Sequence, residues 1–161
     1  MHSANNPGGV TGTGEIRTGM IYRSLEEVTF AEARRILREG SAEERLLLPL
    51  RVGELLPDPR KAVAICVRLL SDLDPRIRAN AALGLSYAVR RQRFLDRDTV
   101  RPLLLRELAE NRDFSGRIAD ALEDINLFMG WRLAEDRIAR IRSGLDPSPE
   151  RQGAGSQEDP S

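Results

Sequence analysis

Apolar residues along this chain recur three and four positions apart, and almost nowhere at alternate positions. That period belongs to helices with one buried side; it predicts seven of them and no convincing β-run. The first is read from "SLEEVTFAEARRILREG" (Ser24 to Gly40). There Ser24 and Glu27 have capping-box spacing, Val28, Ala31, Ile36 and Leu37 supply the apolar side, and Gly40 ends the helix. Ser41 and Glu44 repeat the box and open a second helix, Ala42 to about Leu56. Pro49 should kink or interrupt it, because proline lacks the N–H of the helical ladder. Asp58-Pro59 and Asp74-Pro75 open the third and fourth helices, to about Leu70 and about Arg91. In both, the carboxylate accepts free amide protons while proline occupies a position where no donor is missed. The last three run from Asp98 or Thr99 to about Glu110, with Pro102 in the first turn, from about Asp113 to Met129, and from about Trp131 to Arg142.

The spacing of these signals predicts an arrangement. The third and fifth helices start about 39 residues apart, as do the fourth and sixth, near the ~40-residue period of helix-pair arrays. In such arrays no pair buries its apolar side alone, so neighbouring pairs stack. "DLDPRIRANAALGL" (Asp72 to Leu85) resembles the second-helix motif of HEAT repeats: Asp-Pro, a branched apolar residue, arginine, paired alanines and Leu-Gly. "LLPDPRKAVAICVRLL" (Leu55 to Leu70) is similar to the first helix of the same repeat, and "TVRPLLLREL" (Thr99 to Leu108) to that of the next. The resemblance is fullest over 58–91. It is thinner over 99–129, where "RDFSGRIADALEDI" keeps Arg117, Ala121 and Leu122 without the Asp-Pro, and architectural over 24–56.

The resemblance implies an all-α fold, a short α-solenoid of about three HEAT-like helix pairs plus a C-terminal capping helix. It places Asp74 in the turn within a repeat and Arg78 across that turn, toward an acidic residue of a neighbouring repeat. Ala81 and Ala82 would admit a close helix. The chain also looks like small bacterial HEAT-type proteins ending in an "ALEDI" helix, some of which stand beside toxin genes and are regarded as immunity proteins. By that association the partner is another protein, a toxin being one option, and the role that of an immunity or adaptor protein.

Composition narrows the function classes. At 161 residues one domain is expected, residues 21–143, between disordered tails at 1–20 and 144–161 that are rich in Gly, Ser, Asn and Pro. Hydrophobic residues make up 40% but aromatic ones only 4%, so the core must be aliphatic. Net charge is zero, which speaks against a general affinity for nucleic acid or membrane. Of 25 basic residues only Lys61 is lysine. That bias reads either as carboxylate and phosphate recognition by guanidinium groups or as a compositional habit. Cys66 is the sole cysteine and His2 the sole histidine, so a disulfide, a cysteine–histidine metal site and a nucleophile–base pair all lack their parts. "GGVTGTG" (Gly8 to Gly14) lacks the Gly-Lys-Ser/Thr ending of a phosphate loop. No enzyme activity, cofactor or metal is expected. With no apolar run of ~20 residues and no signal-like h-region, the expected location is cytoplasmic.

Candidate binding residues come from helical geometry. With Ile77 as reference, Ala81, Gly84, Leu85, Ala88 and Val89 share its side, whereas Arg76, Asn80, Leu83, Tyr87 and Arg90 form the opposite ridge. Leu83 and Tyr87 either pack on an adjacent repeat or line a concave binding surface. On the sixth helix Ile118, Ala121, Leu122, Ile125 and Met129 make the core side, and Arg117, Asp120, Glu123 and Asp124 stand away from it. Those carboxylates are either a solvated face or a patch for a basic partner; without histidine they do not make a metal site. Trp131 is either the plug of the terminal core or an interface anchor. Two functions follow: a non-catalytic protein-interaction module, and a nucleic-acid-binding or DNA-repair-type repeat. The acidic sixth helix weighs against the second.

Overall fold

Residues 16–17, 20–21 and 25–145 are described by a computed structural model. Its helices are α1 (Phe30–Glu39), α2 (Ala42–Leu55), α3 (Pro59–Leu69), α4 (Pro75–Arg91), α5 (Arg97–Glu110), α6 (Ser115–Met129) and α7 (Glu135–Arg142), with a 3-10 turn at Arg112–Phe114 leading into α6. Two short strands, β1 (Ile16–Arg17) and β2 (Met20–Ile21), pair antiparallel with Ile16 opposite Ile21. The remainder of both expected tails, apart from Gly144 and Leu145, lies outside the described residues.

The caps form largely as the sequence pattern specifies. In α2 the Glu44 N–H donates to Ser41 Oγ at 3.1 Å and the Ser41 N–H donates to Glu44 Oε1 at 3.0 Å. Asp58 and Asp74 accept the amides of Arg60 at 2.9 Å and Arg76 at 2.8 Å. Pro49 is buried within an unbroken α2, so the expected interruption does not occur. Two starts fall later than the pattern predicts, each for a tertiary or local reason. Arg51 of α2 donates to the carbonyls of Glu26 at 3.0 Å and Glu27 at 2.8 Å, acceptors that a helix beginning near Ser24 would need for itself. The cap is Thr29 instead, and Ala33 rather than Ala31 is buried beside Ile36. The last helix starts at Glu135 rather than Trp131. Gly130 is left-handed at φ 71°, and Asn126 clasps the following loop through the Leu133 carbonyl (3.0 Å) and amide (2.9 Å).

α4 is the central element, packed against α2, α3 and α6; α1 lies on α2, and α5 and α7 on α6. Cross-links between α2 and α4 advance in step along both helices. Asn80 reaches the Leu46 carbonyl at 2.8 Å, and at the far end Arg91, the last residue of α4, reaches the Gly53 carbonyl at 2.8 Å. The same holds between α4 and α6, where Asn80 meets Arg117 near the start and Arg90 pairs with Asp124 near the end. α2, α4 and α6 therefore lie side by side and run in one direction. The core between them is aliphatic, built from Ile36, Leu48, Leu69, Ile77, Leu85, Leu104, Ile118 and Leu122 with alanines interleaved.

Candidate interaction surface

Ten of the seventeen residues of α4 are buried, because three helices enclose it. Asn80 is one of them, which corrects its place on an open ridge. Its amide nitrogen donates to the Leu46 carbonyl of α2 and its oxygen accepts from the Arg117 guanidinium of α6 at 2.8 Å. A buried side-chain amide needs both kinds of partner, and here each neighbouring helix supplies one. Arg117 is drawn into the same link and stacks over Phe114 at 5.5 Å. Both residues thus tie α2, α4 and α6 together.

The rest of the ridge stays at the surface. Arg76 is exposed and forks onto Asp74 through Nε at 3.2 Å and a terminal nitrogen at 2.7 Å. That fork, with the backbone amide, holds the Asp74 carboxyl below its usual range. Leu83 and Tyr87 are half-buried one turn apart, with the Arg90 guanidinium 5.6 Å from the Tyr87 ring centre.

The acidic side of α6 is not an open patch. Arg142 of α7 holds Asp120 at 2.5 Å and Glu123 at 2.5 Å, while Asp124 pairs with Arg90. The Arg142 fork lowers the Glu123 pKa, and the two carboxylates raise that of Arg142. Of the two sequence readings, a free acidic surface for a basic partner loses most of its charge to these pairs.

Trp131 sits in the loop after α6, half-buried against the core. With Glu123, Asn126, Leu127, Glu135, Ile138 and Ala139 it lines an open groove of about 400 Å³ between α6 and α7. The structure thus brings Glu123 and Trp131 together, and Asn80 with Arg117, but it does not gather all nine candidates at one spot. Among the described residues no group of three or more His, Cys, Asp or Glu side chains is set to hold a metal, and no helix is long and apolar enough to cross a membrane.

Sequence reasoning missed Arg45, Arg51 and Arg91, which donate to backbone carbonyls, whereas Arg78 spans the α3–α4 turn and meets an acidic residue, as expected. Arg45, fourth in α2, donates to the Leu37 carbonyl at 3.2 Å; Arg78, fourth in α4, donates to those of Asp72 at 2.8 Å and Leu73 at 3.2 Å. Each satisfies acceptors around the end of the preceding first helix, where the helical ladder runs out. Arg91 does the same for α2, through Val52, Gly53 and Leu56. The forked, planar guanidinium suits this double duty, which a lysine ammonium could not copy. Arg78 also pairs with buried Glu107 of α5 at 2.9 Å, and Asn111 supports the same oxygen at 3.1 Å. The repeated fourth-position arginine was the available signal.

Compared with protein-family models, with curated proteins and with solved structures, the chain finds no match.

Proposed function

We propose that this protein is a non-catalytic interaction module: a short α-solenoid of HEAT type that binds one partner protein across its second helices, α2, α4 and α6, in an immunity or adaptor role. The parallel course of those helices, and the repeated arginine that closes each of the first two helix pairs, support the solenoid reading. One observation carries the binding surface. Leu83 and Tyr87 remain half-exposed on the most enclosed helix of the molecule, whose residues on either side are buried. Tyrosine and arginine are types enriched among binding hot spots, and Tyr87 has Arg90 beside it.

The test is a pull-down from native lysate with the parent chain, Tyr87→Ala and Asp124→Arg, each checked for an unchanged melting curve. The first variant removes the ring, and the second breaks the Arg90 pair and inverts the charge. Loss of the same partner band in both supports the ridge. A band that survives both substitutions undiminished overturns it.

A further inference from the structure

Every aromatic ring in residues 25–145 has a guanidinium or ammonium group over it. The rings are Phe30, Tyr87, Phe94, Phe114, Phe128 and Trp131, and the cation lies 4.5–5.8 Å from the centroid in seven contacts. One or two such contacts would be ordinary for a segment of this length, so the pattern asks for a cause.

Five of the seven form a continuous run. Arg34 and Lys61 share Phe30; Arg60, next to Lys61, lies over Phe94; Arg93, next to Phe94, lies over Phe128; and Arg97 lies over Trp131, just beyond Phe128. The residues come from the starts of α1, α3 and α5 and the ends of α4 and α6. These are the ends that meet at one edge of the molecule, so the run crosses all three helix pairs. All five cations are exposed, and among the described residues none is held in an ion pair. Phe94 at the centre is itself 43% exposed. The nearby Asp58 caps α3, and Asp96 accepts from the Thr99 hydroxyl.

We propose that this edge binds an extended, acidic segment of a partner protein. The inference names a partner chemistry for the interaction module proposed above, and it uses residues other than Leu83 and Tyr87. A guanidinium resting on a ring is already ordered, with N–H donors at its rim free for a carboxylate fork, so binding loses less side-chain entropy. Neighbouring packed helices stand ~8–10 Å apart. That is about one turn of an extended chain in the polyproline-II conformation, three residues at ~3.1 Å each, which puts every third side chain on one side. Carboxylates at every third position of a peptide therefore fall in step with the cations. One feature favours a peptide over single-stranded nucleic acid: base stacking needs an open ring face, which a resident cation covers.

The experiment titrates the full chain with a fluorescein-labelled peptide of about 15 residues carrying glutamate at every third position. A single-stranded oligonucleotide of equal length and a glutamine version of the peptide are run beside it. Trp131, the only tryptophan, reports from inside the run through its emission. The acidic peptide should bind and shift that emission, weaken as salt screens the contacts, and lose about tenfold in affinity in Arg60→Gln/Arg97→Gln. Arg68→Gln/Arg106→Gln, with the same charge removed toward the opposite ends of α3 and α5, should bind like the parent. No binding, equal binding of the glutamine peptide, equal loss in both double variants, or tighter binding of the oligonucleotide overturns the proposal. The ridge reading is scored separately by Tyr87→Ala in the pull-down, where the edge is intact.

Discussion

Gly53 of α2 and Gly84 of α4 meet backbone to backbone. A β-carbon on Gly53 would stand 2.9 Å from the Gly84 Cα, and one on Gly84 would stand 2.6 Å from the Cys66 sulfur of α3. Three helices converge at that point, so only hydrogen fits. Gly84→Ala and Gly53→Ala should each destabilise the fold by about 1–3 kcal/mol, although alanine is the better helix former, because overpacking outweighs propensity. Gly116→Ala is the contrast, since a β-carbon there meets nothing within 4 Å. That change should stabilise by about 0.5–1 kcal/mol. Urea midpoints of the three variants check the pair of signs.

Glu107 is 2% exposed and depends on Arg78 and Asn111 for its partners. Removing the cation leaves a buried carboxylate without its counter-charge. Arg78→Ala should therefore cost about 3–5 kcal/mol, and it also strips two carbonyls of the α3–α4 turn. Arg78→Met/Glu107→Leu should recover a large part of that loss. A double-mutant cycle from chemical denaturation measures the coupling, and additive losses would contradict it.

The closing helix α7 should release in acid. Arg142 holds the Glu123 carboxyl below the usual carboxylate range in the fold. A depressed native pKa contributes stability that is present above the unfolded value and lost as pH falls through the folded one. Trp131, beside the α6–α7 groove, reports the change by fluorescence. An acid transition below the ordinary carboxylate range is expected in the parent chain and should shrink in Glu123→Gln. An identical transition in that variant would assign the acid step elsewhere.

Cys66 is fully buried, and burial pushes its thiol pKa well above the ordinary value. Its S–H points to the Pro49 carbonyl at 3.7 Å. Native protein should react with a thiol-specific disulfide reagent only when the α2–α3–α4 junction opens. The labelling rate should climb with denaturant in parallel with global unfolding. Fast labelling in native buffer would show that the junction opens locally.

Much of this architecture is legible in single residues. Ser41 with Glu44, Asp58-Pro59 and Asp74-Pro75 set three helix starts, because a cap needs only a side-chain oxygen and the next few amides. The 3.6 period placed Ile77, Leu85, Ile118 and Leu122 in the core, and the small residues of α4 announced a close neighbour. These are local or single-helix properties, and the chain alone determines them.

Contacts between distant segments were decided only on folding. Ser24 and Glu27 match a capping box, yet Arg51 takes the carbonyls that the helix would use, so Thr29 caps it instead. Asn80 sits on the polar ridge of its own helix, but α2 and α6 close over it and complete its hydrogen bonds. Asp120, Glu123 and Asp124 read as free charge until Arg142 and Arg90 arrive from other helices. A helical wheel has two sides, whereas α4 has three neighbours. Periodicity can say that a residue leaves the core side, but only the packed neighbours determine whether it meets water, a carbonyl or an opposite charge.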